Sequence, residues 1–160
     1  MALSLVVLLV PIALLLGFYR LVLGGDDPIA VDPRPAVEQA QAAKAFPVTA
    51  PTGLSDDWHV SSATFRRTAD GATLRIGYVD PDGGPVQLVE SSVPLETLVR
   101  AELGDKVVST GPVQAGTRTW QRYDARPGEN ALVLLDKERT IIVVGATEPE
   151  NLQALAAALP

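Results

Sequence analysis

The sequence predicts an α+β fold: an N-terminal transmembrane helix, then a mostly antiparallel sheet of about six to seven strands with three packing helices. Three observations favour this class. An uncharged apolar run opens the chain, alternating apolar residues recur between turn residues, and three short segments carry apolar residues at helical spacing. The predicted organisation is a transmembrane anchor at residues 1–23, a linker at 24–35 and one soluble domain at 36–160.

The predicted anchor begins with MALSLVVLLVPIALLLGFY, residues 1–19, which contain no charged side chain. As a helix they would extend roughly 28 Å, close to the thickness of a hydrocarbon core. The run is longer than the apolar part of a typical signal peptide and no clear A-x-A cleavage site follows it, so a retained anchor is favoured over a cleaved signal. Arg20 on the domain side favours a cytoplasmic domain, but Asp26 and Asp27 follow it closely, so charge alone leaves the side open.

The next two segments are a spacer and a short helix. Residues 24–35, GGDDPIAVDPRP, resist both helix formation and burial, which predicts a linker. Residues 36–46 are rich in alanine and glutamine and lie between Pro35 and Pro47, which predicts a helix.

Strand patterns begin at Trp58. Residues 58–66 and 72–79 flank a turn containing Asp70 and Gly71, and residues 79–89 repeat the arrangement around the turn PDGG. The period of two in Leu74, Ile76 and Tyr78 predicts one face toward a core. These signals predict an antiparallel meander of three strands.

A second meander follows a helix. Leu95, Leu98 and Val99 lie at helical spacing and Gly104 ends that run. Four further strands are then predicted at residues 107–113, 117–125, 131–136 and 140–145. Residues 141–144 are apolar on both faces, which predicts a central strand with a helix over at least one side.

The last element is a predicted helix. Thr147 and Glu150 match the S/T-x-x-E capping box at its start. Leu152, Leu155, Ala156 and Leu159 then form one apolar stripe, which we expect to pack on the sheet.

Composition excludes several classes of function. Apart from Arg20, the chain carries 12 lysines and arginines against 19 aspartates and glutamates, so the part beyond the anchor has a net charge of −7. Such a surface repels phosphate backbones, and nucleic acid is not an expected partner. The absence of cysteine excludes disulfides, thiolate nucleophiles and zinc-thiolate sites.

The chemistry-bearing residues do not form a catalytic pattern. His59 is the only histidine, and with Asp56 and Asp57 it would form at most a weak metal site. The serines considered as nucleophiles are Ser61, Ser62, Ser91, Ser92 and Ser109. None lies in a G-x-S-x-G elbow, so a hydrolase is not expected.

The remaining candidates for a binding site are better interpreted as turn residues or core residues. The glycines of PDGGP, residues 81–85, join two strands, whereas a phosphate loop needs a following helix. The carboxylate pairs are Asp26 with Asp27, Asp56 with Asp57, and Asp80 with Asp82. None matches a calcium loop, so we interpret them as solvated turn residues. Trp58 and Trp120 are expected to pack in the core.

Several segments of the chain together form a recognisable pattern. They are the apolar start, FPVTAPTGLSDDW at residues 46–58, LRIGYVDPDGGPVQLVES at 74–91, Trp120, and TIIVVGATEPENLQALAAAL at 140–159. In this pattern the chain resembles the bacterial domain of unknown function 4245 family. Asp57 stands where the family often has glycine. The resemblance implies a membrane-anchored domain that faces the cell exterior, and it says nothing about an activity.

No catalytic, cofactor or metal site is therefore expected. The leading hypothesis is a non-enzymatic, membrane-anchored extracytoplasmic domain that binds a protein or a cell-envelope component, with the membrane itself contacted through the N-terminal helix. The alternative is a small-ligand or lipid carrier, which requires an apolar cavity lined by residues such as Leu74, Ile76 and Leu88. An enzyme is the third and least supported class.

Overall fold

The computed structural model describes residues 9–12, 15–18 and 30–160. Residues 9–12 and 15–18 have helical backbone, and most of the predicted anchor and of the predicted linker lies outside the described residues. Within the part of the chain that is described, no helix is both long and apolar enough to cross a membrane. The membrane anchor at residues 1–23 stays a prediction.

Residues 30–160 form an α+β domain with one antiparallel sheet of seven strands, as predicted. In chain order the elements are α1 (Arg34–Ala43), β1 (His59–Thr68), β2 (Gly71–Val79), β3 (Pro85–Ser91), α2 (Leu95–Leu103), β4 (Val108–Ala115), β5 (Arg118–Asp124), β6 (Asn130–Asp136), β7 (Arg139–Gly145) and α3 (Pro149–Ala157). The strand order is β1-β2-β3-β7-β6-β5-β4, so β7 is the central strand. Its residues are all buried, which confirms the expectation from its two apolar faces.

The first helix differs from its predicted bounds. It begins at Arg34 rather than Ala36, with Pro35 in its first turn, and it ends at Ala43 rather than Phe46. Lys44 takes the left-handed conformation with φ 51°, which ends the helix. Phe46 is then free to turn inward, and it is 6% exposed in the core.

Helices cover both faces of the sheet. On the first face, α1 and α3 pack on a core that includes Leu88, Trp120 and Ile141. On the second face, α2 packs through Leu98 and Leu103 on a smaller cluster. The apolar stripe of α3 is buried as predicted. The sheet is thus the middle layer of three.

The two ends of the sheet differ. We call one end proximal because the described chain enters the domain there. At this end the backbone N–H of Val31 donates to the carbonyl of Val60, 2.8 Å away. Strand register places the β2–β3 and β5–β6 turns at the same end. The β1–β2, β4–β5 and β6–β7 turns form the distal end.

The edge strands are β1 and β4. Pairing of β4 with β5 is interrupted by a register shift between Ser109 and Gly111, where Gly111 has φ 115°, and Pro112 follows directly. Glycine tolerates this backbone conformation and marks a bulge in the strand.

Candidate binding groove

A groove of about 190 Å³ opens on the second face of the sheet at the proximal end. Residues that line it include Ser61, Gly77, Gln87, Arg126, Glu129 and Val144. Strand pairing explains this grouping, because Ser62 pairs with Gly77, Gly77 with Gln87, and Gln87 with Val144. Four adjacent strands therefore place these side chains in one row on the same face, beside the loop between β5 and β6.

Gly77 has no side chain, and the hydroxyls of Ser61 and Ser62 occupy the space over it at the floor of the groove. A Cβ at this position would lie 2.5 Å from Ser62 Oγ and 2.9 Å from Ser61 Oγ. The register of β1 shifts between Val60 and Ser62, and this bulge brings both serine hydroxyls toward Gly77. A glycine inside a strand often marks a close approach by another group, and here the groups that approach are the two serine hydroxyls.

The polar side chains of the groove have few partners within the domain. Arg126 Nη1 and Glu129 Oε2 are 3.7 Å apart, beyond hydrogen-bonding distance. Glu129 Oε2 is buried and has no hydrogen-bond partner among the described residues. A buried acceptor without a partner is costly, which makes this carboxylate a natural contact for a bound donor.

The Asp80 carboxylate lies at the same end of the sheet and is structural. Asp80 is 2% exposed, so the prediction that it is a solvated turn residue is wrong. Its Oδ1 accepts the backbone N–H of Asp82 at 2.9 Å and of Gly84 at 2.7 Å, and its Oδ2 accepts Asn151 Nδ2 at 3.0 Å and the Thr147 hydroxyl. These bonds fasten the β2–β3 turn to the start of α3.

The same bonds explain why the predicted capping box is not formed. The N-cap of α3 is Glu148, and no side chain caps the helix. The hydroxyl of Thr147 donates to the Asp80 carboxylate and accepts Asn151 Nδ2 at 3.3 Å, so its oxygen is engaged by side chains and does not accept a backbone N–H of the helix.

The pKa of Asp80 is below its ordinary value. Burial acts to raise this pKa, and the hydrogen bonds from Thr147, Gly84, Asp82 and Asn151 together outweigh burial. The ionised form therefore stabilises the fold above the ordinary carboxyl pKa of about 3.9. That contribution is lost as pH falls through the lower pKa of the folded state.

Asp80→Asn is expected to lower the free energy of unfolding at pH 7 by about 1–3 kcal/mol, because one amide cannot accept four hydrogen bonds. Urea unfolding measured from pH 7 down to roughly pH 2 is expected to show the difference from the unmutated chain narrowing toward acid. Asp82→Asn, at a more exposed carboxylate of the same turn, is the matched control and is expected to change stability less. A difference that stays constant with pH would contradict this role.

The residues considered for catalysis are not brought together. His59 is partly buried at the start of β1, and Asp56 and Asp57 are exposed on the preceding loop. Ser91 is fully buried and hydrogen-bonds to Thr73 Oγ1, 2.8 Å away. Within residues 30–160 and the short helical pieces before them, no three His, Asp or Glu side chains are grouped for metal binding. Asp26 and Asp27 lie outside the described residues.

Both tryptophans pack as predicted. Trp120 is 1% exposed in the first-face core. Trp58 is partly buried and stacks edge-to-face on Tyr78, with ring centroids 6.3 Å apart. Burial and then the nearby charge of Glu90 raise the pKa of Tyr78 to about 12.

A buried ion pair on the first face was not predicted from the sequence. Glu90 is 0% exposed, and its Oε2 lies 3.0 Å from Arg139 Nη1. Thr49 Oγ1 donates to Glu90 Oε1 at 2.6 Å, and Arg139 donates to the carbonyl of Pro47. Burial raises the pKa of Glu90, and the bonds from Thr49 and Arg139 offset part of that increase. The pair holds the segment after α1 against the sheet.

Comparison with known proteins places the chain in a family. A search of curated proteins gives no significant match. A family model described as protein of unknown function (DUF4245) matches residues 1–159, nearly the entire chain. The chain therefore belongs to the DUF4245 family.

Proposed function

We propose that the chain is a non-enzymatic binding module, anchored in the membrane by residues 1–23, whose domain faces the cell exterior and binds a protein or a cell-envelope component. The observation that carries the binding role is the groove beside the β5–β6 loop, where Ser61, Gln87, Arg126 and Glu129 meet. Convergent polar side chains in a concave site are typical of ligand recognition.

The packing of the first face favours binding at the groove over a carrier function. Leu74, Ile76 and Leu88, which a carrier would expose to a cavity, are each at most 2% exposed. They pack in one cluster with side chains from α1 and α3. An apolar ligand inserted there would have to displace these contacts.

The membrane anchor rests on the sequence. Residues 1–19 are uncharged and apolar over a length that matches a bilayer core. Residues 24–30 then reach at most about 25 Å before Val31 joins the domain. The groove shares the proximal end with Val31, so this arrangement keeps the groove close to the membrane surface.

A photoreactive amino acid at position 87, in the full-length chain in intact cells, is expected to crosslink a component of the cell surface. The same amino acid at position 39, which is exposed on α1, is the matched control and is expected to give no such adduct. Mass spectrometry of the adducts identifies the partner. Equal adducts from both positions would contradict the groove as the binding site, and an adduct with a cytoplasmic protein would contradict the exterior placement.

A further inference from the structure

The donors and acceptors that line the groove indicate which class of ligand fits it. This inference rests on the binding function proposed above. Ser61 and Gln87 offer both donors and acceptors, Arg126 offers donors only, and the Glu129 carboxylate offers acceptors only. A ligand that satisfies this set must itself carry several donors and several acceptors.

The charges of Arg126 and Glu129 favour a neutral ligand over an anionic or a cationic one. Arg126 and Glu129 balance each other across the mouth of the groove, with Nη1 and Oε2 3.7 Å apart. A phosphate or carboxylate ligand brings acceptors alone, and it would place a negative charge against the buried Glu129 Oε2. An ammonium ligand brings donors alone and would face Arg126. Neutral hydroxyl groups pair with both side chains at once.

The volume of the groove and its apolar lining residues indicate the size and shape of the ligand. The groove of about 190 Å³ is smaller than the roughly 300–1,000 Å³ of sites that enclose a drug-sized molecule. Val144, Ala146 and Pro85 add an apolar strip beside the polar groups. A ring with hydroxyls on its edge and C–H groups on its faces uses both kinds of surface.

We propose that this groove binds one unit of a neutral, polyhydroxylated ligand, that is, a sugar ring. Glu129 Oε2 accepts one ligand hydroxyl, Arg126 donates to another, and Ser61 and Gln87 contact the hydroxyls nearest the sheet. The open side of the groove leaves room for the rest of a glycan, whether it belongs to an envelope polysaccharide or to a glycolipid headgroup.

The test is a titration of the full-length chain in detergent micelles, followed by amide chemical shifts in the NMR spectrum. The probes are methyl glycosides of neutral hexoses and pentoses, with glucuronate, glucosamine and inorganic phosphate as charged comparisons. At least one neutral glycoside is expected to shift the amides of Gly77, Gln87 and Val144, and to bind at least tenfold more tightly than the charged probes. No shift with any neutral glycoside, or a tighter response to phosphate, would overturn the proposal.

Variants separate groove binding from binding elsewhere. Glu129→Gln, which keeps shape but changes an acceptor into a donor, and Gln87→Ala are each expected to weaken glycoside binding tenfold or more. Gln39→Ala and Glu38→Gln on exposed positions of α1 are the matched controls and are expected to leave it unchanged. Gly77→Ala places a Cβ in the space that the Ser61 and Ser62 hydroxyls occupy, so it displaces Ser61 from the groove and is expected to abolish binding. If this variant does not fold, Glu129→Gln and Gln87→Ala still test the proposal. Binding that survives all groove variants would overturn the assignment.

Two further comparisons identify the source of the sugar and distinguish failure of the sugar inference from failure of the proposed binding function. Competition by a soluble envelope polysaccharide assigns the sugar to the wall, whereas binding only to phosphatidylcholine vesicles that contain a glycosyl diacylglycerol assigns it to a lipid. If glycosides fail but the position-87 crosslink persists on a protein, the sugar inference falls and the binding module stands. If both fail, the proposed function falls as well.

Discussion

Glu90→Leu is expected to lower the free energy of unfolding by about 3–5 kcal/mol, since it removes the buried carboxylate that faces the Arg139 guanidinium. The remaining carboxylate, Asp136, is partly exposed and lies 3.8 Å from Arg139 Nη2, too far to replace the lost hydrogen bond. Arg139 is 4% exposed and diagonal to Glu90 across the β3–β7 pair, so water does not replace the lost carboxylate. Thr49 loses its acceptor in the same variant. For a domain whose total stability is roughly 5–15 kcal/mol, this is a severe loss.

The double variant Glu90→Leu with Arg139→Met distinguishes charge pairing from simple packing. Replacing both members of a buried pair with apolar residues is often neutral or stabilising, so the double variant is expected to be more stable than Glu90→Leu alone. Chemical denaturation followed by circular dichroism measures the stability of Glu90→Leu, of Arg139→Met and of the double variant, each against the unmutated chain. Glu38→Leu on the exposed side of α1 is the control and is expected to change stability by less than about 0.5 kcal/mol. A double variant that loses the sum of the two single losses would contradict the pairing argument.

Trp120→Ala is expected to lower the free energy of unfolding by about 3–5 kcal/mol, because it leaves a large cavity in the first-face core. Trp120 is among the largest fully buried side chains of the described chain. Its indole Nε1 is also buried and has no hydrogen-bond partner among the described residues.

Trp120→Phe tests the importance of the side-chain volume and of the unpaired indole N–H. Phenylalanine keeps much of the apolar volume and removes the unpaired N–H, so its cost is expected to be less than half that of alanine. Thermal and urea unfolding, each followed by circular dichroism, give the two values, and Trp58 remains as a fluorescent probe. Equal losses in the two variants would show that volume does not govern this position.

Local patterns predicted most of the fold. Alternation and turn residues located every strand, because each hairpin brings together neighbours in sequence. The central place of β7 followed from residues 141–144 being apolar on both faces. The small number of aromatic residues, together with the large apolar area of an indole, predicted Trp120 as a core residue. The pairing of β3 with β7 has no turn between the two strands, so no local pattern encodes it.

Long-range contacts account for what the sequence did not reveal. Glu90 and Arg139 are separated by 49 positions and Asp80 and Thr147 by 67, so neither pair leaves a trace in spacing. Thr147 matched a capping box because the motif describes only local partners, and a distant carboxylate competes successfully for its hydroxyl. A buried charge is identified only when the chain that covers it is known.

The groove depends on two features that sequence patterns do not report. One is the row formed across four strands by Ser62, Gly77, Gln87 and Val144, which requires the register of the sheet. The other is the position of α2, which packs around Leu98 and Leu103 and leaves the proximal end of this face open. Gly77, a glycine inside an alternating strand, is a local signal that could have indicated a close approach at this position.

The irregular edge of β4 bears on how this protein behaves at high concentration. Pro112 has no N–H to offer another chain, and the bulge at Gly111 bends the strand just before it. A further copy therefore meets an interrupted ladder at this edge, and fibril growth by stacking of strands is disfavoured there.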